Sequence, residues 1–240
     1  MNDLERRMKE QYEGRTRYML PRRTYTIIRV DGKSFHTALR HAVKPFDPKV
    51  TEAMDFVLRR LCEEFQGCSL GYTQSDEASI LLTDFATPQT AAAFDGNLQK
   101  ICSISAAIAA VEFSCRWDKV VFDSRVFTIP DPVEVENYFI CRQKDCARNS
   151  ISSLAQSLYS PKQLYGKTSD QMQEMTFQAG KNWNDCRPRD KNGGWCKKFS
   201  RPEYDPPRFE WRAEAAPTFT KERSRLEDLV PRQWAERAEV

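Results

Sequence analysis

No stretch of this chain is apolar enough to cross a bilayer: runs such as Ile104 to Val111 fall far short of the roughly 20 residues that a membrane span requires. Nor is there a large charge of either sign. With 37 Lys and Arg against 34 Asp and Glu the formal net charge is +3, so any nucleic-acid contact must be a local basic patch. The 8 cysteines include no CxxC pair, which argues against a zinc ribbon. The N-terminus carries Asp3, Glu5, Arg6, Arg7 and Lys9 without an apolar core, so we expect no secretory signal, no membrane partner, and a cytoplasmic protein with reduced thiols. Internal repeats and low-complexity tracts are missing too. What remains, 240 residues at 40% hydrophobic and 30% charged, suits one soluble domain or one domain with an extension.

The patterns that are present alternate between strands and helices. Leu4, Met8 and Tyr12 predict a short amphipathic helix, and Tyr25, Ile27, Ile28 and Val30 a buried strand running into Asp31 and Gly32. Asp47 before Pro48 is a helix N-cap signal, and Val50, Met54, Val57, Leu58, Leu61 and Phe65 form one apolar stripe behind it. Strands at about Ser69 to Thr73 and Ala78 to Leu82 place Gln74, Ser75, Asp76 and Glu77 at a hairpin tip. A helix is predicted from about Thr87 and Pro88 to Phe113, with Leu98, Ile101, Ile104 and Ile108 inward, and a strand through Val120 to Ile129 completes a βαββαβ order. That order predicts an α+β fold, a polymerase-palm-like antiparallel sheet with helices on one face. From Asp131 and Pro132 a helical pattern runs past Arg142 toward Leu158, and the later part contains an Asn192-Gly193-Gly194 turn and a link with Pro202, Pro206 and Pro207. We therefore divide the chain into a palm-like catalytic domain, 1–140, and a substrate-binding helical and hairpin extension, 141–240, packed on the palm.

Acids at strand ends are the candidates for chemistry. Asp31 ends a buried strand, and Gly32 lets a backbone carbonyl approach a ligand; Asp76 and Glu77 form a second acidic tip. If the two strands are neighbours, Asp31 and Asp76 can hold two magnesium ions that orient a triphosphate and stabilise the attacking and leaving oxygens. Each tip alone also reads as a solvated turn. The βαββαβ order joins them, because it is the layout of many nucleic-acid polymerases and nucleotidyl cyclases.

Arg29 through His36 (Arg-Val-Asp-Gly-Lys-Ser-Phe-His), Lys44 through Asp47 and Gly71 through Glu77 resemble, in order and spacing, the signature series of the tRNA-histidine guanylyltransferase family. Phe122 to Phe127 and Cys141 to Asp145 extend the likeness over about residues 5 to 200. The resemblance implies that Asp31, the Gly32 carbonyl and Asp76 bind two Mg2+ ions, with Glu77 beside them as a further catalytic candidate. It implies nucleotide contacts from Arg29, Lys33, Ser34, Phe35, His36, Lys44, Asp47, Ser75 and Lys100, with His36 by the triphosphate and Asp47 by the base and ribose. From the residues alone, His36 can equally cap or pack, Asp47 can cap a helix, and Lys100 can sit on a solvated helix face. Arg142, Asp145, Arg148 and Asn149 fall on one helical face suited to RNA or to solvent, and Lys167, Lys181 and Arg187 could grip an RNA backbone.

After Cys146 the chain reads Ala147 to Ser152 where eukaryotic guanylyltransferases carry His-Ile-Asn-Asn-Leu-Tyr-Asn. That departure favours the branch of the family that repairs tRNA 5′ ends. The implied reaction is template-directed 3′–5′ addition to a tRNA with a truncated or unprocessed 5′ end, activated by ATP or GTP, in a homotetramer. A palm-type nucleotide cyclase and a catalytically inactive RNA-binding protein of the same fold are the rival readings.

Overall fold

The computed structural model describes residues 2–206 and 208–233, so that Pro207 of the proline-rich link, and the ends of the 1–140 and 141–240 divisions, lie outside the described residues. Helix α1 (Asp3–Gln11) is capped by Asn2, whose side chain accepts from Glu5 N at 2.8 Å. It forms where the Leu4, Met8, Tyr12 spacing places it but buries no residue. Strand β1 (Tyr25–Gly32) leads through the single turn α2 (Phe35–Ala38) to α3 (Pro48–Glu64), followed by the hairpin β2 (Cys68–Gln74) and β3 (Glu77–Leu82). Then come α4 (Leu98–Ser114), β4 (Phe122–Ile129) and α5 (Pro132–Gln156). The short α6 (Pro161–Leu164), α7 (Ser169–Gln178) and α8 (Pro188–Asn192) precede a second hairpin, β5 (Gly194–Arg201) and β6 (Arg208–Ala215), and a last turn of helix, α9 (Arg223–Glu227). No helix among the described residues is long and apolar enough to cross a membrane.

All six strands join one antiparallel sheet in the order β4-β1-β3-β2-β5-β6. The α+β palm order is present, and helices α3 and α4 cover one face of it. There Val57, Leu58 and Leu61 of α3 and Ile101, Ala109 and Phe113 of α4 pack on Ile28, Val30 and Ile80. On the opposite face Val135, Phe139 and Ile140 of α5, with Phe219, Leu226 and Val230 from the C-terminal segment, pack on Tyr25, Ile27, Tyr72 and Leu81. Alternation along each strand thus feeds two cores.

Two expectations are corrected. Helix α4 starts at Leu98 and not near Thr87: Phe94 (φ 48°) and Asp95 (φ 53°) are left-handed, which no helix tolerates, and the Asn97 side chain caps the new start by accepting from Lys100 N at 3.0 Å. The division at 140/141 falls inside α5, which is unbroken, and the sheet continues across it because β5 pairs with β2 through Gly71↔Cys196, Tyr72↔Trp195 and Thr73↔Gly194. Without β5 the edge of β2 would expose unpaired backbone groups.

Candidate active site

The two acidic tips meet because β1 and β3 are direct neighbours. Asp31 lies opposite Glu77 in the register, and Gly32 N donates to Asp76 O at 3.1 Å. The β2–β3 turn is held tight: Ser75 is left-handed (φ 49°), and the Thr73 hydroxyl donates to Glu77 O at 2.8 Å. Burial raises the Asp76 carboxyl above its ordinary range; a bond from the Ser75 hydroxyl opposes the rise and the charge of Asp31 adds to it. Two carboxylates that repel one another at one sheet edge fit a divalent cation. No three His, Cys, Asp or Glu side chains among the described residues gather into a cation cage. One or two carboxylates with water and substrate phosphates is the donor set magnesium usually takes.

Gly32 is required by close approach. A Cβ built there would stand 2.0 Å from Phe35 Cδ2, and Phe35 is itself packed against Phe113 (4.9 Å between ring centroids) and Phe122 (5.5 Å). Gly32→Ala is expected to destabilise the fold by about 1–3 kcal/mol, as overpacking does, and to lower turnover at least tenfold by displacing the Asp31 tip. A urea melt and an initial-rate assay check both; an unchanged midpoint would mean that the Phe35 ring yields freely.

Two openings join at this tip. One, an open cleft, is lined by Gly32, Ser34, Phe35, His36, Leu39, Lys44, Ser75 and Asp76. The other is a cavity of about 180 Å³ that shares Leu39, Lys44 and Ser75 with the cleft. It runs between the 42–51 segment of the palm, including Asp47, and a wall made by Cys146, Asn149, Ser150 and Ser153 of α5 with Arg189 and Asp190 of α8. The open cleft beside the acids thus continues into a narrower cavity. Asp47 both caps and closes: one carboxylate oxygen accepts from Lys49 N at 2.9 Å, and the other accepts from Val43 N at 2.8 Å.

Of the residues expected to meet nucleotide, Ser34, Phe35, His36, Lys44, Asp47 and Ser75 line these openings. Lys33 does not; it is exposed, and its backbone N–H donates to Val121 O at 2.8 Å. Arg29 is turned into an ion-pair network, with Nη2 3.7 Å from Asp31 Oδ2 and Nε 3.6 Å from Glu77 Oε2. Lys100 is misplaced by the sequence reading: next to it Ile101 lines a pocket with Thr26 and Leu82, at the opposite end of β1 from Asp31. Within one chain that is about 15–20 Å from the acids at 3.3 Å per strand residue.

Glu77 and Arg142 also differ from expectation. Glu77 is buried, and its Oε2 takes Arg142 Nη1 at 3.2 Å; the other Arg142 nitrogen, Nη2, holds Asp145 at 2.5 Å, and Asp145 in turn pairs with Arg148. Burial raises the Glu77 carboxyl and the two arginines lower it, leaving it above its ordinary range. Arg142 and Asp145 are therefore internal partners on α5, while Arg148 is exposed. Asn149 lines the cavity. Lys167 and Lys181 are exposed, and Arg187 is engaged by Asp190 through two 2.8 Å bonds.

Sequence reasoning singled out Asn149 for RNA but missed the cavity wall to which it belongs. Cys146, Asn149, Ser150 and Ser153 follow i, i+3, i+4, i+7 spacing, a stripe of small and polar residues visible in retrospect. Arg189 reads in the sequence only as one of the later basic residues that could grip RNA, because its anchor, Asp55 of α3, is distant in the chain; Asp55 accepts from its Nε at 3.1 Å and its Nη2 at 2.6 Å.

The profile of a family described as tRNAHis guanylyltransferase matches residues 5–142. The tRNA(His) guanylyltransferase of Debaryomyces hansenii is 30% identical over 156 residues, which is 59% of this chain and 56% of that protein. The probable tRNA(His) guanylyltransferase of Drosophila melanogaster is 27% identical over 170 residues, 66% of this chain and 58% of that protein. The chain thus spans somewhat more than half the length of these curated relatives. A bacterial tRNA(His) guanylyltransferase-like protein, solved in complex with ATP and in complex with GTP, superimposes with TM-scores of 0.86 and 0.83 at 35% identity, covering 95% of this chain and 99% of that one. The Saccharomyces cerevisiae enzyme, at 21% identity and a TM-score of 0.67, shares the fold.

Proposed function

Because the chain belongs to the tRNA(His) guanylyltransferase family, we propose that it adds nucleotides to the 5′ end of a truncated or unprocessed tRNA in the 3′→5′ direction, directed by the opposite strand. The observation that carries this is the meeting of Asp31, Gly32 and Asp76 at one sheet edge, opening into a cleft and a cavity joined at Lys44 and Ser75. Two Mg2+ ions bound to Asp31, the Gly32 carbonyl and Asp76 supply charge neutralisation for a triphosphate and a lower pKa for an attacking hydroxyl. Lys44 and Ser75 donate to phosphate oxygens, and the cavity behind them takes the base of ATP or GTP. A 5′-monophosphate end is first activated by that nucleotide with loss of pyrophosphate. The 3′ hydroxyl of the incoming nucleoside triphosphate then attacks the activated phosphate, and the nucleoside monophosphate leaves. A 5′-triphosphate end needs no activation. We further propose a homotetramer as the working form, which mass photometry reads directly.

Incubation with Mg2+, nucleoside triphosphates and a tRNA lacking its first residue is expected to lengthen the RNA at its 5′ end. Asp31→Ala should lower that rate by about three orders of magnitude, the scale on which metal-held charge acts. No product from the intact protein, or undiminished product from the variant, rejects the reading; a cyclic nucleotide made without tRNA would replace it with a cyclase.

A further inference from the structure

The polar groups around the cavity divide into engaged and free. Both Asp47 oxygens accept from backbone, and the Ser150 hydroxyl donates to Ala147 O at 2.8 Å while accepting from Trp183 Nε1 at 2.9 Å. Arg189 is anchored on α3 by Asp55, whose Oδ1 accepts from Nε at 3.1 Å and from Nη2 at 2.6 Å. Two carboxamides, Gln74 and Asn149, also line the cavity. Gln74 lines the cavity at 5% exposure; its amide nitrogen has no hydrogen-bond partner, and its oxygen has only a 3.5 Å contact from Asn149 Nδ2 at the rim. A carboxamide sets a donor beside an acceptor, which complements the N7 acceptor and N6 amino group of adenine and mismatches the two acceptors that guanine presents on the same edge. Asn149 belongs to the wall of the cavity that faces the 42–51 segment, and Gln74 stands beside it.

We infer that Asn149, backed by Gln74, is the specificity-determining residue of this cavity and makes it prefer adenine over guanine nucleotides. The inference rests on the cavity being the nucleotide pocket proposed above, and it concerns preference, since that reaction admits either purine. Asn149 lies on α5 beyond residue 142, where the match to the family profile ends.

Isothermal titration of the full chain with ATP and with GTP in Mg2+ buffer tests it, using the wild type, Asn149→Ala and Asn149→Leu. The wild type should bind ATP about tenfold more tightly than GTP, the scale of a good carboxamide–adenine match. Both variants should lose ATP affinity with GTP affinity changed by less than about twofold, bringing the ratio close to one. Leucine restores the bulk without the polar groups, so a ratio that collapses in the alanine variant and survives in the leucine variant overturns the inference in favour of shape. Equal wild-type affinities, or an unchanged ratio in both variants, overturn it as well and leave the nucleotide pocket standing. Binding of neither nucleotide overturns the pocket itself.

Discussion

Asp76→Asn is expected to abolish nucleotide addition while raising the melting temperature of the metal-free protein. Both effects come from one carboxylate. Burial, with the neighbouring charge of Asp31, raises the Asp76 carboxyl above its ordinary value, so the folded protein holds the proton more tightly than the unfolded chain does. A group of this sign contributes stability fully below its unfolded pKa and loses it as pH rises through the folded pKa. At pH 8 the carboxylate is ionised in both states and its burial costs stability; asparagine keeps the shape and removes the charge. The metal-free variant should melt about 2–4 °C higher at pH 8, corresponding to roughly 1 kcal/mol in a chain of this length, and the gain should shrink as pH falls through the folded pKa of the wild-type carboxyl. Added Mg2+ should raise the wild-type midpoint by mass action and move the variant less, with turnover lower by about three orders of magnitude. Calorimetric scans at pH 8 and pH 4, with and without Mg2+, check the linkage. A variant that melts below the wild type at pH 8 would show that Asp76 is held by favourable contacts and not by repulsion.

The legible parts of this molecule were those whose cause is local. Asp47 before Pro48 starts a helix wherever it occurs, and α3 begins there. Asp31-Gly32 and Ser75-Asp76 sit at strand ends that the alternation marks, and the neighbour relation of β1 and β3 follows from the βαββαβ order. Lys100 was legible and misread: β3 leaves the acidic turn and α4 returns toward it, so the first turn of α4 is at the far end of the sheet. What the chain could not announce was pairing over distance. Arg189 and Asp55 are 134 residues apart and Arg142 and Glu77 65 apart, and in each case both residues look like solvated surface until the sheet brings their elements together. Asn149 shows the same limit on a helix. Spacing put it on a face with Arg142 and Asp145, but the face turned out to look inward, at Glu77 along one turn and at the cavity along the next.

That inward face predicts the second large effect. Arg142→Met is expected to destabilise the fold by about 3 kcal/mol, because it strips a buried carboxylate of its hydrogen-bonded partner. The Glu77 side chain is only 8% exposed, its Oε1 already has no hydrogen-bond partner, and the loss of Arg142 leaves Arg29 Nε at 3.6 Å as its one cation. Glu77→Gln should cost less, about 1 kcal/mol, since Arg142 keeps Asp145 at 2.5 Å and Arg29 keeps Asp31 at 3.7 Å, so neither cation is left alone. In the double variant the penalty of an isolated buried charge disappears, and its total loss should fall short of the sum of the single losses by about 1.5–2 kcal/mol. Urea unfolding of the four proteins at pH 8 measures this coupling. Additivity within about 0.5 kcal/mol would mean that water already satisfies Glu77 and that Arg142 stabilises α5 through Asp145 alone. Strong coupling would separate the two adjacent acids of the turn by role, with Asp76 facing the cleft and Glu77 holding α5 against the sheet so that the wall of the cavity stays in place.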